Sequence, residues 1–331
     1  MIDGRKRITS VIAALGVTAL GGSLLITSPS FAKPDIGDVQ VRVDKLYQEA
    51  EVASERYNDA RVELEATQAR LKSLRADLDR QQTKVEGIRE QVAASVVSQY
   101  QGSALSSTSQ VFLSEDPDAF LSQLGTVSAY NDQQAQMMAD FTIQAKQLEM
   151  REQAAERELA EIEKVKKTLA DEKAEIDAKA GEAKGLLDEL EAAERARMTA
   201  PSRSASRAPL SNVAVSGRAG AAVDYALAQV GDSYVYGAAG PDSFDCSGLT
   251  MMAWAQAGVS LPHSASSQMG SGPSVSSSDL QPGDLVFYYS PVSHVGIYIG
   301  NGQIVHAANP DTDVQITGVN TMLISGAVGP G

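Results

Sequence analysis

Cysteine is almost absent: a single thiol, Cys246, stands in 331 residues, so no internal disulfide can staple the fold. Aromatic residues make up only 5% of the chain, with one Trp and six Phe. Lys and Arg are outnumbered by Asp and Glu, leaving a formal net charge of -14. That deficit of clustered cations argues against nucleic acid as a partner. It equally disfavours charge-driven binding to an anionic membrane surface. Long apolar runs are confined to one stretch, Ile8 to Ile26, and no later segment is suited to crossing a bilayer.

That one stretch follows a basic start, Arg5, Lys6 and Arg7, and ends before Ser30-Phe31-Ala32, which offers small residues at the positions a signal peptidase reads. Residues 1–32 are therefore expected to be a secretory signal cut after Ala32, with a retained anchor as the other reading. Gly16, Gly21 and Gly22 weaken a stable span. The protein is expected to be secreted and to act in the cell envelope or cell wall. In that setting a lone thiol is a liability unless it has a task.

Residues 33–198 are rich in Glu, Ala, Gln, Arg and Lys and carry two heptad seams. The first joins the series Val39, Leu46, Ala53, Ala60, Thr67, Leu74, Gln81, Ile88 to Val43, Ala50, Tyr57, Leu64, Leu71, Leu78, Val85, Val92. The second runs Phe141, Leu148, Ala155, Ile162, Leu169, Ile176, Ala183, Leu190, with a patchier companion row at Leu159, Lys166, Lys173, Ala180 and Leu187. The pattern predicts an all-α antiparallel coiled-coil hairpin of two helices of roughly 60 residues each. Between them a tip segment over 101–130 turns apolar at Phe112, Leu113, Phe120, Leu121 and Leu124. Asp116 before Pro117 predicts a short amphipathic helix over 118–124. Such a cluster either folds back on the coil or meets another protein. Residues 199–217, with Pro201, Pro209 and several Ser and Arg, read as a flexible linker.

The last segment, 218–331, holds one basic residue against eight Asp, and all three His of the chain. Helical patterns over 219–230 and 246–257 precede β-rich runs over 284–289, 292–299 and 303–308, which makes the segment an α+β domain. Asn301-Gly302 is a two-residue hairpin signal. Cys246 lies just before an apolar helical stretch, where unpaired N–H groups favour a thiolate and can hold an oxyanion. Strand alternation puts His294, Gly296 and Tyr298 on one face, with Val295, Ile297 and Ile299 facing the core. His294 and His306 can then meet across the hairpin, one as base and one as its orienter. The competing reading is an inert buried thiol with structural histidines. No His-x-His, His-x-x-x-Asp or His-Glu-x-x-His pattern is present, so neither a metal nor another cofactor is expected. His263 reads as a loop residue lining the groove.

The segments Tyr234-Val235-Tyr236-Gly237, Asp245-Cys246-Ser247-Gly248, Leu261-Pro262, Asp279 to Phe287 and His294 to Gly302 resemble the NlpC family of cell-wall cysteine peptidases, in order and over nearly all of the domain. The resemblance implies a papain-like domain that hydrolyses the bond between D-γ-glutamyl and meso-diaminopimelate (or Lys) in peptidoglycan stem peptides. It implies Cys246 as nucleophile, His294 as base, His306 as the polar third member, Tyr234 near the oxyanion site, and Asp245 and Ser247 as substrate contacts. An acidic pocket suits the amines of such stems. Ser233, Tyr236, Ala239 and His263 depart from the common Pro, Trp, Gly and Arg, and leave substrate preference open. The coil resembles the N-terminal regions of the actinobacterial Rip-type (RipC-like), PcsB and CwlO hydrolases. That implies docking of the tip on an FtsEX-type membrane complex and restraint of the enzyme until division or daughter-cell separation. Two alternatives remain: a coiled-coil adaptor that activates other wall hydrolases, and acyl transfer by the same thiol.

Overall fold

A computed structural model of the chain describes residues 36–100, 117–190 and 217–331. The expected signal over 1–32, the bulk of the linker, and Phe112 and Leu113 of the tip lie outside the described residues, as do the side chains of Phe120, Leu121 and Leu124. No helix among the described residues is long and apolar enough to cross a membrane.

Two helices, α1 (Ile36–Tyr100) and α2 (Pro117–Asp188), build the hairpin. Arg42 pairs with Glu182, Arg56 with Glu172 and Glu175, Arg70 with Glu158, and Gln81 with Gln144, so the two run antiparallel. The first seam is as expected: Val39, Val43, Leu46, Ala50, Ala53, Ala60 and Leu71 are buried. So is the main row of α2, at Ala155, Ile162, Ile176 and Ala183. The companion row is only partly the expected one: Leu187 packs on the cluster of Val39, Val43 and Leu46, whereas Lys166 and Lys173 are exposed. Leu159 is 42% exposed, and the row that meets α1 lies one residue earlier, at Arg151, Glu158, buried Val165, Glu172 and Lys179. These side chains lay apolar stems along the seam while their heads pair across it. Exposed pairs of this kind contribute only about 0–1 kcal/mol each, so the apolar row holds the hairpin and the polar row sets its register.

The expected short tip helix over 118–124 is not separate: it forms the first turns of α2, which starts at Pro117. Proline suits a first helical position, because its missing N–H would have had no partner there.

The C-terminal part begins with α3 (Gly217–Ala228), so Gly217, assigned to the linker from the sequence, already belongs to a helix. Next come β1 (Ser233–Tyr234), β2 (Ser243–Phe244), α4 (Cys246–Gln256) and the single turn α5 (Ala265–Gln268). Strands β3 (Leu285–Tyr288), β4 (His294–Gly300), β5 (Gln303–Ala307), β6 (Val314–Gly318) and β7 (Ile324–Val328) form an antiparallel sheet of order β6-β5-β4-β3-β7. The α+β class, both helices and the first three strands are as the sequence predicts. The two edge strands were not expected, because Gln315, Thr317, Ser325 and Gly326 dilute their alternation.

Asn301 and Gly302 take φ of 54° and 69°, both left-handed, as the tight hairpin between β4 and β5 requires. Val295, Ile297, Ile299 and Val305 pack with Leu249 and Trp254 of α4 in the main core. The opposite face of the sheet buries Val286, Tyr288 and Ile304 in a second cluster. Central β4 is thus covered on both sides, which fixes its register rigidly.

Gly296 of β4 faces His306 on β5. A Cβ there would lie 2.9 Å from Ile304 Cδ1 and 3.2 Å from both His306 Cβ and the Val305 carbonyl oxygen. Gly296→Ala is expected to cost about 1–3 kcal/mol through overpacking, read as a lower midpoint in chemical denaturation.

Candidate active site

Cys246 is the first residue of α4, and Asp245 caps that helix. Asp245 has extended backbone (φ -93°, ψ 178°), and its Oδ1 accepts the Gly248 N–H at 2.6 Å. Its Oδ2 accepts the Gly237 N–H at 2.9 Å, tying the β1–β2 loop to the helix start. The approach is close enough that a Cβ on Gly248 would sit 2.2 Å from the Ala238 carbonyl oxygen. Only glycine fits that turn. His263 places Nε2 2.8 Å from Asp245 Oδ1. It lies on a loop as expected, but buried against the cap rather than lining an open groove.

His294 and His306 come together as strand alternation predicts, with His294 Nε2 2.6 Å from His306 Nδ1. His306 Nε2 is 3.1 Å from Thr317 Oγ1, a partner on β6 that sequence reasoning did not reach. Cys246 Sγ, a ring nitrogen of His294 and a carboxylate oxygen of Glu51 all lie within 4.8 Å of one another. The structure therefore assembles Cys246, His294 and His306 in one site. Tyr234 is buried beside it, and its hydroxyl has no hydrogen-bond partner among the described residues.

Glu51 belongs to the coil. One face of α1, carrying Tyr47, Glu51, Ser54, Glu55 and Asn58, is buried although four of these residues are polar. The spacing of three to four residues makes one helical stripe, distinct from the apolar seam. That stripe occupies the cleft. Glu51 Oε1 lies 2.5 Å from His294 Nδ1. Glu55 accepts from Ser247 Oγ at 2.7 Å, from the Ala265 N–H at 2.5 Å and from the Cys246 thiol at 3.5 Å. Asn58 donates to Asp245 Oδ2 at 2.9 Å and to Ser247 Oγ at 3.3 Å. Asp59 accepts from Ser264 and Ser266, Tyr47 donates to Asp311, and Arg61 reaches the Gly237 carbonyl. Sequence reading missed these contacts because charged residues off a heptad seam ordinarily face water. The available signal was Ser54 and Asn58, poor helix formers on a face where nothing local favours them.

Three carboxylates around one thiol set the electrostatics. Burial pushes the Cys246 thiol well up, and Glu55, Glu51 and Asp245 push it further, against a single N–H donated by Val295. Burial, then Asp245, raises Glu55 to about 7 and moves Glu51 the same way. Burial also holds His294 down, to about 4, and lowers His306, which the neighbouring His294 depresses further. With the coil in place the thiol is protonated and both imidazoles are neutral. The hydrogen bonds then run one way: a protonated Glu51 donates to His294 Nδ1, His294 Nε2–H to His306 Nδ1, and His306 Nε2–H to Thr317, a tautomer set assigned from network consistency. Burial raises the Tyr234 phenol, and Glu51 and then Cys246 add to it.

Beside the docked helix a cavity of about 470 Å³ remains, lined by Tyr234, Tyr236, His294, His306 and Asn309 and, from α1, Glu51.

Residues 231–327 match the model of the NlpC/P60 family, and this part of the chain is an NlpC/P60 domain. A Mycobacterium tuberculosis (strain ATCC 25618 / H37Rv) protein named a probable endopeptidase is 50% identical over 96 residues, 29% of this chain and 25% of that protein. A probable endopeptidase of Corynebacterium glutamicum (strain ATCC 13032) is 43% identical over 122 residues, 37% of this chain and 58% of that protein. This chain thus spans less than two thirds of either relative. The crystal structure of the NlpC/p60 domain of the peptidoglycan hydrolase SagA is 34% identical, covering 33% of this chain and 97% of that one, with a TM-score of 0.32.

Asp245→Ala removes the cap of α4 together with the acceptor for Gly237 and Asn58. It is expected to destabilise the domain by about 2 kcal/mol or more, measured by urea unfolding followed through Trp254 fluorescence.

Proposed function

We propose that the chain is a secreted peptidoglycan endopeptidase of the thiol type that its own coil holds shut. Its bond would be the one between D-γ-glutamyl and meso-diaminopimelate in stem peptides. One observation carries the reading: Cys246, His294 and His306 stand in one site, and a stripe of α1 fills the cleft in front of them.

In the open form, with Glu51 withdrawn, His294 Nδ1 is free to take the proton of Cys246 as the thiolate attacks the peptide carbonyl. His306 Nδ1 accepts from His294 Nε2–H and steadies the imidazolium that forms. The N–H groups at the start of α4 hold the oxyanion, with the Tyr234 hydroxyl beside them. The imidazolium then protonates the leaving amine, and water releases the acyl group from the thiol. Ser247 and Asp245, which bind Glu55 and Asn58 in the closed form, become available to a stem peptide. In the closed form the thiol keeps its proton and has no room for a substrate.

Release of the coil then becomes the regulatory step, in keeping with a role in cell division or daughter-cell separation. A membrane complex of the FtsEX type, engaging the tip, is the partner suggested by the resemblance of the coil.

The test uses the full-length chain and defined muropeptides, with products identified by mass spectrometry. Glu55→Ala with Asn58→Ala leaves the Ala265 N–H and the Cys246 thiol without their Glu55 acceptor in the closed form and takes hydrogen bonds from Ser247 and Asp245, which keep each other and Gly237 as partners; an orphaned buried group costs about 1–3 kcal/mol. Cleavage after D-glutamate is expected to rise on the order of 10- to 100-fold over wild type, and to vanish when Cys246→Ala is added. No cut by either chain would instead favour the adaptor reading, and a product carrying a new acyl acceptor would favour transfer.

A further inference from the structure

The docked stripe puts three different metal-binding atoms in one buried place. Glu51 from the coil and Cys246 and His294 from the domain are 8%, 1% and 1% exposed, and their oxygen, sulfur and nitrogen ligand atoms lie within 4.8 Å of one another. We propose that the closed chain binds a zinc ion at Glu51, Cys246 and His294, and that the metal locks the coil over the thiol.

The donor set suits the ion. A thiolate, an imidazole and a carboxylate are the ligand types of tetrahedral zinc, and three protein ligands leave the fourth position to water. Charge balance points the same way. Among the described residues, the partners of Glu51, Glu55 and Asp245 are hydroxyls, amides, a thiol and imidazoles, with no Lys or Arg. A zinc ion with one thiolate, one carboxylate and a neutral imidazole is neutral overall, so it can stay buried where an unpaired carboxylate is costly.

An independent feature marks the fourth position. The Tyr234 hydroxyl is buried without a partner among the described residues, and Tyr234 lines the same cavity as Glu51 and His294. Tyr236, whose hydroxyl is orphaned in the same way among the described residues, also lines that cavity; a metal-bound water there would give these phenols a partner, and the cavity of about 470 Å³ supplies an entry path from solvent. Ligand orientation is already set, since His306 Nδ1 at 2.6 Å fixes His294 through its other nitrogen.

The exchange is simple. Zinc takes the place of the proton between Glu51 and His294 and of the thiol proton, and both protons leave to solvent. Bond lengths of about 2.0–2.3 Å put donor atoms about 3.4 Å apart. Glu51 and His294, now 2.5 Å apart, separate slightly, while the sulfur closes in. Because one ligand comes from α1, metal and coil docking must favour each other reciprocally.

The inference rests on the docked position of α1 and not on which bond the enzyme cuts. The experiment titrates full-length protein with zinc against a chromophoric chelator, and with cobalt(II) to read ligand identity by absorbance. Expected are one site per chain, a thiolate-to-cobalt charge-transfer band, and release of about two protons per metal. Glu51→Gln should weaken zinc binding by about 10-fold or more. Glu55→Ala with Asn58→Ala keeps all three ligands yet should also weaken it, in proportion to the closed fraction the variant loses. Affinity equal to wild type in both variants overturns the proposal, as does a cobalt spectrum without the thiolate band. Zinc binding with these properties in a chain that cuts no peptide supports the metal site while removing the endopeptidase reading. A chain that cuts but binds no zinc overturns this inference alone.

Discussion

A handful of hydrogen bonds between a coil and a cleft organise this protein. Glu55 and Asn58 bond the same Ser247, and Asn58 bonds the same Asp245 that caps α4. The groups that start α4 and aim the thiol are thus the groups that hold the coil. Among the described residues none of the carboxylates involved has a cationic side chain of Lys or Arg as a partner, so their burial depends on the hydrogen bonds they keep. That makes the closed state specific and conditional: losing one partner strands several others.

Under the proposed function, the same contacts are what keep the closed site silent. A thiol at a helix N-terminus ordinarily benefits from the backbone N–H groups. Here burial and three carboxylates outweigh that benefit, and the His294 imidazole is occupied at Nδ1 by Glu51. On that reading, shielding the cleft and removing its reactivity are two results of one docking event. The reactive geometry itself needs little rearrangement, because His294 and His306 are locked by a sheet buried on both faces.

Much of this was legible in the sequence where period and chemistry coincide. The heptads gave both long helices, the Asn-Gly pair gave the hairpin, and alternation put His294 and His306 on one face. The companion row of α2 was misplaced by one residue because, in an antiparallel pair, the partner helix decides which flank of an apolar row is covered, and long charged side chains can serve there. The edge strands β6 and β7 escaped notice because half-exposed strands have weak alternation. The stripe from Tyr47 to Asn58 was invisible for a deeper reason. Its residues are polar because the surface they meet is a polar cleft, and nothing local distinguishes such a face from one that meets water.

The hairpin is also a lever. The contacts that pin α1 span Tyr47 to Arg61, about 20 Å of helix, whereas the described end of α1 at Tyr100 lies about 60 Å beyond the last pin. A sideways force applied there acts on the pins with roughly threefold mechanical advantage. Each broken contact loads the next, because the helix is stiffened along its length by α2. Prying from the far end therefore takes much less force than pulling the stripe straight out of the cleft, so distance from the thiol becomes an asset to whatever moves the coil.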